Sequence, residues 1–257
     1  MRSIWEHRQV LRMLVQRDLQ RRYSKFRLGY LWTLLEPLGM SVVLWFVFSI
    51  LLGPRGLGLQ PYLLFLSLAI LPWWWFSKGI NASTKVFAKN GGQLRVSLLP
   101  TQLWVLRVVL VSTVEFIFSL PVILIAIAVT GFWPGPLIVL FPVAIIVQFF
   151  LMYGLALLIA ASAVVIPDLA RIVKIVLRAM FYLSPVLYSV SNIPAEFRTL
   201  AELNPLVGIF GLYRVGFWPE EVNSVLAFGI SITVAVVLFI AGVVVFRRIE
   251  PRILKEA

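Results

Sequence analysis

Arg21-Arg22-Tyr23-Ser24-Lys25-Phe26-Arg27-Leu28-Gly29-Tyr30-Leu31-Trp32-Thr33-Leu34-Leu35-Glu36-Pro37 changes solvent halfway along its length. Arg21, Arg22, Lys25 and Arg27 are four cations within seven residues. From Leu28 an apolar run continues to Leu52, broken only by Glu36 and by small or hydroxylated residues. At about 1.5 Å per residue, a helix over 28–52 is long enough to cross a hydrocarbon core of roughly 30 Å. Lys and Arg beside a first span hold that end in the cytoplasm, so the junction predicts an inner N-terminus and the sense of every later crossing.

The whole chain fits a lipid solvent. Its 257 residues are 61% hydrophobic and 13% charged, with a mean hydropathy of +0.96. A soluble domain has about 45–50% apolar and about 25% charged residues. A soluble fold of this length could not hide so much apolar surface. The net charge of +12 would suggest nucleic acid in a soluble protein; here the positions of the cations argue for a membrane and against a nucleic-acid partner. There is no cysteine, hence no disulfide framework or thiolate metal site, and the single histidine, His7, lies in the polar N-terminal segment.

Residues 1–27 lack the continuous apolar core of a signal peptide. Leu11, Leu14, Val15 and Leu19 recur at helical spacing between Arg12, Arg17, Arg21 and Arg22. The pattern predicts an amphipathic helix on the inner membrane surface, its cations toward anionic head groups; a disordered basic tail would not keep the helical period. Further spans are predicted over 62–84, 103–130, 137–166, 172–188 and 222–246. The fifth is short and carries Lys174 and Arg178 in its inner half. Before the last span, residues 189–221 form the longest outer segment, with breaks at Pro194, Pro205 and Pro219; short helices dipping into the membrane fit it if protein or water covers them. Twenty of the 23 cations fall on inner segments or the inner ends of spans, and only Arg55, Arg198 and Arg214 fall on outer segments. The predicted fold is a single all-α integral membrane domain over 1–257, with six transmembrane helices, an N-terminal interface helix, re-entrant outer helices and both ends cytoplasmic.

No phosphate-cradling Gly-x-x-x-x-Gly-Lys-Ser/Thr occurs, and no hydrolase or metal-ligand motif. The expectation is a transport subunit, not an enzyme, with no cofactor or metal of its own. Glu36 and Glu115 are the only acids inside spans. A charge at mid-bilayer costs roughly 2.5–3.5 kcal/mol, so both should face the bundle interior, be protonated, or pair with a cation such as Arg107 or Arg178. A polar latch fits two such groups better than a proton relay, which needs a chain of them. Trp73-Trp74-Trp75-Phe76, with Tyr62 nearer the outer end, is open to two readings. It could be an interfacial aromatic belt, or a path on which sugar rings stack. Lys78–Pro100, basic and broken by glycines, is a candidate partner surface.

Three stretches together resemble a known family, the membrane permeases of ABC-2 type exporters, and within it the subunits that export lipid-linked polysaccharide. They are Arg22–Trp32 with Glu36-Pro37, the 90–100 loop ending in Leu98-Leu99-Pro100, and Leu203-Asn204-Pro205-Leu206 followed by Tyr213-Arg214. The resemblance runs along essentially the whole chain. It implies a homodimer with a channel between the copies, a separate cytoplasmic ATPase dimer that binds ATP and Mg, and a lipid-linked polysaccharide of O-antigen, teichoic acid or galactan type as cargo. It implies ATPase coupling through the N-terminal helix, with Arg17, Arg21 and Arg22, and through the loop with Lys85, Lys89 and Arg95. It makes Asn204, Pro205, Tyr213 and Arg214 part of an outer re-entrant segment. Glu36 and the aromatics Tyr62 and Trp73–Phe76 would shape the polymer path. The alternatives are the same fold exporting a drug or small lipid, an ATP-independent secondary transporter, which internal inverted repeats would favour, and a membrane glycosyltransferase, for which inner-loop carboxylates are lacking.

Overall fold

The computed structural model describes residues 6–24, 26–51, 53, 58–88, 99–222 and 224–256, without the side chains of 221–222 and 252–256. The described residues form helices and turns and no strand. Five helical stretches are long and apolar enough to cross a membrane: Gly29–Leu51, Tyr62–Ser83, Thr101–Thr130, Pro136–Val165 and Val225–Pro251. They coincide within a few residues with five of the predicted spans, because each is a hydrophobic run bounded by Gly, Pro or charge.

Helix α1, Arg8–Tyr23, buries Leu11, Val15, Leu19 and Tyr23, one residue per turn. That stripe packs with Leu103 and Val111. After a turn in which Gly29 takes a left-handed φ of 49°, α2 runs over Trp32–Trp45 and widens into a π-helical stretch at Phe46–Leu51. Its one buried stripe is Thr33, Pro37 and Ser41; the rest of α2 is largely uncovered.

The centre of the bundle is α3, Tyr62–Ser83, most of whose residues are buried. It packs against α2, α4 (Thr101–Ser119), α5 (Pro121–Thr130), α6 (Phe141–Val165), α7 (Leu169–Leu183) and α9 (Pro205–Arg214). Gln148 of α6 donates Nε2–H to the Pro72 carbonyl at 2.7 Å, which gives the buried amide nitrogen a partner in an apolar crossing, while its Oε1 has none among the described residues. Helix α11, Val225–Glu256, lies along α6. Their backbones meet where Gly154 faces Gly242, so close that a Cβ on either glycine would run into the other helix.

Residues 172–188 were expected to form one span. Helix α7 has 15 residues and stops at Leu183, a length of about 22 Å, short of a roughly 30 Å core. The stop has a local cause: Pro185 excludes Ser184 from the helical region, and Ser184 is extended, at φ −100° and ψ 148°. Beyond it come short helices, α8 at Ala195–Glu202, α9, and α10 at Pro219–Val222, in the segment whose prolines predicted broken structure.

Candidate functional site

Two ion pairs fasten α1 to α4. The Arg107 guanidinium forks onto Asp18, Nε donating to Oδ2 at 2.6 Å and Nη2 to Oδ1. One turn further along α1, Arg22 Nη1 donates to Glu115 Oε1 at 2.6 Å, and the Tyr23 hydroxyl donates to the same oxygen at 2.9 Å. The pairs follow the same order along both helices, so α1 runs beside α4 in the same direction. The Trp104 ring lies 5.3 Å from the Arg107 guanidinium carbon and covers it. Burial, with the Glu115 carboxylate next to it, pushes the Tyr23 phenol up, so it stays protonated and keeps donating. Glu115 is buried as the sequence suggested, but its cation is Arg22, not Arg107 or Arg178. Asp18, the acid that Arg107 meets, was not singled out. The sequence did hold a signal for it: Asp18 precedes Arg22 by four residues, on the same flank of the apolar stripe.

Glu36 takes the last of the three alternatives open to it, a cation partner, and does so at the edge of the bundle and not in its interior. More than half of its side chain is exposed, and it meets Lys78 at 3.5 Å across the α2–α3 contact. Lys78 also lies 5.4 Å from the Trp74 ring centroid. Thus Glu36, Lys78 and Trp74 form one group at the outer edge of the bundle. Between this group and Glu115 is a cavity of about 20 Å³, lined in part by Tyr23, Trp74, Lys78 and Glu115. That is room for one water.

The four consecutive aromatics divide by direction. Trp75 is 2% exposed, stacks on Phe116 with centroids 4.6 Å apart, and donates Nε1–H to Thr113 Oγ1 at 3.1 Å. Trp73 meets Phe181 of α7 at 5.5 Å and Phe76 at 6.0 Å; both are buried. Trp74 alone of the four reaches the edge. Tyr62 is buried and donates its hydroxyl to the Leu187 carbonyl at 2.9 Å.

At the opposite end from the ion pairs, Asn204 caps α9, Oδ1 accepting the Leu206 amide at 3.0 Å, and its Nδ2 donates to Ser184 Oγ at 2.9 Å. Pro205 takes the first helical position, where its missing N–H costs nothing. Tyr213 is buried against Phe116 and Phe141. Arg214 is 2% exposed and has no carboxylate partner among the described residues. Its guanidinium donates to the carbonyls of Phe65 at 3.1 Å, Pro185 at 2.7 Å and Val186 at 3.1 Å and lies 3.6 Å from the Phe65 ring centroid. Five donors in a fixed fork make Arg the residue that can satisfy three carbonyls from two chain segments.

Of the residues assigned to ATPase coupling, Arg21 is exposed and Arg17 half-buried on the side of α1 away from α4, Arg22 is in the ion pair with Glu115, and Lys85 is exposed just past α3. Lys89 and Arg95 lie outside the described residues.

A family model described as ABC-2 type transporter matches residues 9–218, a stretch that holds the ion-paired α1–α4 unit, the central aromatic helix and the Asn204–Arg214 segment. The chain belongs to the ABC-2 transporter family. Along 247 residues it is 31% identical to the O-antigen export system permease protein RfbA of Myxococcus xanthus, covering 95% of this chain and 94% of that one. It is 26% identical over 248 residues to an RfbA of Klebsiella pneumoniae, with 95% and 93% covered. It is 21% identical over 249 residues to the polysialic acid transport protein KpsM of Escherichia coli, with 94% and 93% covered. The sequence resemblance to ABC-2 permeases is thereby established for the chain as a whole, and an ABC-2 transporter chain with several apolar helices is a multi-pass membrane protein.

Proposed function

We infer that this chain is the permease of an ATP-driven exporter that moves a lipid-linked polysaccharide, of O-antigen, galactan or teichoic acid type, across the plasma membrane. The observation that carries the reading is similarity along 94–95% of the chain to O-antigen export system permeases and to a polysialic acid transport protein. ATP and Mg act on a separate cytoplasmic ATPase dimer, since the sequence has no phosphate-cradling loop. The exposed Arg21 and Lys85, together with the 89–98 loop, are the groups through which that partner would push.

The permease works as two copies. Helices α2 and α7 both pack on α3, and both leave most of their surface uncovered. Lys174 and Arg178 lie one turn apart on an exposed flank of α7 and make no ion pair among the described residues. Facing lipid, each would cost roughly 2.5–3.5 kcal/mol at mid-bilayer; facing a water-filled path between copies, they are solvated. On this reading α7, short as it is, is the sixth crossing, with both chain ends cytoplasmic and α1 at the inner interface. The polymer would pass along the uncovered side of α2 and α3, where Glu36, Trp74 and Lys78 reach the edge.

Purification of the tagged chain from native membranes tests the reading. A stoichiometric ATPase, and loss of surface polysaccharide with accumulation of its lipid-linked precursor on depletion of the chain, are expected. A chain that purifies with no ATPase and whose depletion leaves surface polysaccharide unchanged would overturn it.

A further inference from the structure

Beside the ion pairs, α1 and α4 leave a groove of about 750 Å³, lined by Arg8, Arg12, Gln16, Gln20, Leu110 and Phe118 among others. That volume falls in the roughly 300–1,000 Å³ range of ligand clefts. Its two walls differ in chemistry. One is the polar stripe Arg8, Arg12, Gln16 and Gln20, repeating every turn of α1. The other is the apolar stripe Leu110, Val114 and Phe118, repeating every turn of α4. Because the two helices run in the same direction, the cations lie at the end nearer Thr101, and Phe118 lies at the far end. Arg12 makes no ion pair among the described residues.

The far end decides the occupant. Beyond Phe118, which meets the Tyr30 ring at 6.1 Å, the chain continues with Leu124, Ile125 and Val129, all exposed, and no charged residue occurs between Glu115 and Thr130. The chain from Thr101 to Thr130 rises about 45 Å as helix, longer than a roughly 30 Å core. With its basic end set at head-group level, Phe118 lies on the hydrocarbon side of those cations. The groove is thus cationic at one end and apolar at the other, as the two halves of an amphiphile require, and Arg17 and Arg21, the cations read as facing the ATPase, lie on the other side of α1.

We propose that this groove holds one anionic diacyl phospholipid of the inner leaflet, its phosphate at Arg8 and Arg12, its glycerol and ester oxygens beside Gln16 and Gln20, and one acyl chain along Leu110, Val114 and Phe118. Such a lipid fills the seam between α1 and the bundle and fixes the helix that is read as transmitting the ATPase stroke.

The test is native mass spectrometry of the purified full-length chain with added phosphatidylglycerol or phosphatidylcholine. One retained phosphatidylglycerol per chain is expected, in preference to phosphatidylcholine. Arg12→Gln should weaken retention about five-fold, the order that one surface Arg contributes to attraction by anionic lipid. Val114→Trp, which fills the groove, should abolish retention, and Arg21→Gln should leave it unchanged. Should Val114→Trp fail to fold, the exposed Arg12 variant still decides. Equal retention of the two lipids, or unaltered retention in Arg12→Gln, overturns the proposal. So does displacement of the lipid by glycerol phosphate alone, which would mean an anion site with no acyl contact.

Discussion

Arg22 and Glu115, 93 residues apart in the chain, meet at 2.6 Å. The two carry unequal burdens: the Arg22 side chain is 48% exposed and that of Glu115 5%. Removing the arginine leaves a buried carboxylate with only Tyr23 to donate to it, while removing the carboxylate releases an arginine that water can still reach. Arg22→Ala should therefore destabilise more than an exposed ion pair is worth, about 1–3 kcal/mol. The double change Arg22→Ala with Glu115→Leu should recover part of that loss. The check is thermal unfolding of the four proteins in detergent; strictly additive losses would mean that the pair is not coupled.

The second pair is buried more evenly, Arg107 at 7% and Asp18 at 22% exposed. Breaking a buried pair by deleting one partner costs about 3–5 kcal/mol. Asp18→Ala should accordingly lower the melting temperature more than Arg22→Ala, and it should expose α1 to protease. If limited proteolysis cuts α1 no faster in Asp18→Ala, α1 is held mainly by Leu11, Val15 and Leu19, and the pair is secondary.

Trp74 and Trp75 are adjacent in sequence and opposite in role. Trp75→Ala removes a fully buried ring with a satisfied N–H, and should cost about 3–5 kcal/mol and most of the expressed protein. Trp74→Ala removes a ring that lies against Lys78 at the edge; it should fold normally and lower export if the polymer passes there. Normal export with normal folding in Trp74→Ala would remove this group from the path.

Arg214 joins α9, the Pro185-Val186 stretch and the outer end of α3 through carbonyls alone. Lysine keeps the charge but loses the fork, so Arg214→Lys cannot reach all three carbonyls, and each one left buried and unpaired costs about 1–3 kcal/mol. Hydrogen exchange of the α9 amides should rise in Arg214→Lys while those of α6 stay protected. Equal exchange in the two proteins would show that the carbonyls find other donors.

The spans and the basic segments were legible in the sequence because each is a local property, a run of apolar residues or a cluster of charge. The broken outer segment was legible for the same reason, from its prolines. Side-chain partners were not. Arg22 finds Glu115, and Arg107 finds Asp18, only because α1 folds back along α4, and no local period encodes that return. The two acids in spans read alike in sequence, yet Glu115 is covered by α1 while Glu36 is on the uncovered side of α2. The early end of α7 was readable in principle from Pro185, but the apolar run through Tyr188 concealed it. Among the four consecutive aromatics, the sequence could require that some face inward; which ones do so depends on how α4 and α7 flank α3.

The contact of α9 with α11 rests on a glycine. A Cβ on Gly208 would run into the Ala227 carbonyl and Ser231 Oγ, and Ser231 itself donates to the Pro205 carbonyl at 2.6 Å. Because one obstacle is backbone, α9 would have to move as a unit, carrying Tyr213 and Arg214 with it. Gly208→Ala should therefore destabilise by about 1–3 kcal/mol, the cost of overpacking a close contact. Gly229, on α11 with no neighbour near its Cβ position, is the matched control: Gly229→Ala should be neutral or slightly stabilising, since alanine is the better helix former. Thermal unfolding of the two variants side by side separates a steric effect from any general intolerance of alanine. Identical melting of Gly208→Ala and the parent chain would mean that the two helices do not approach so closely.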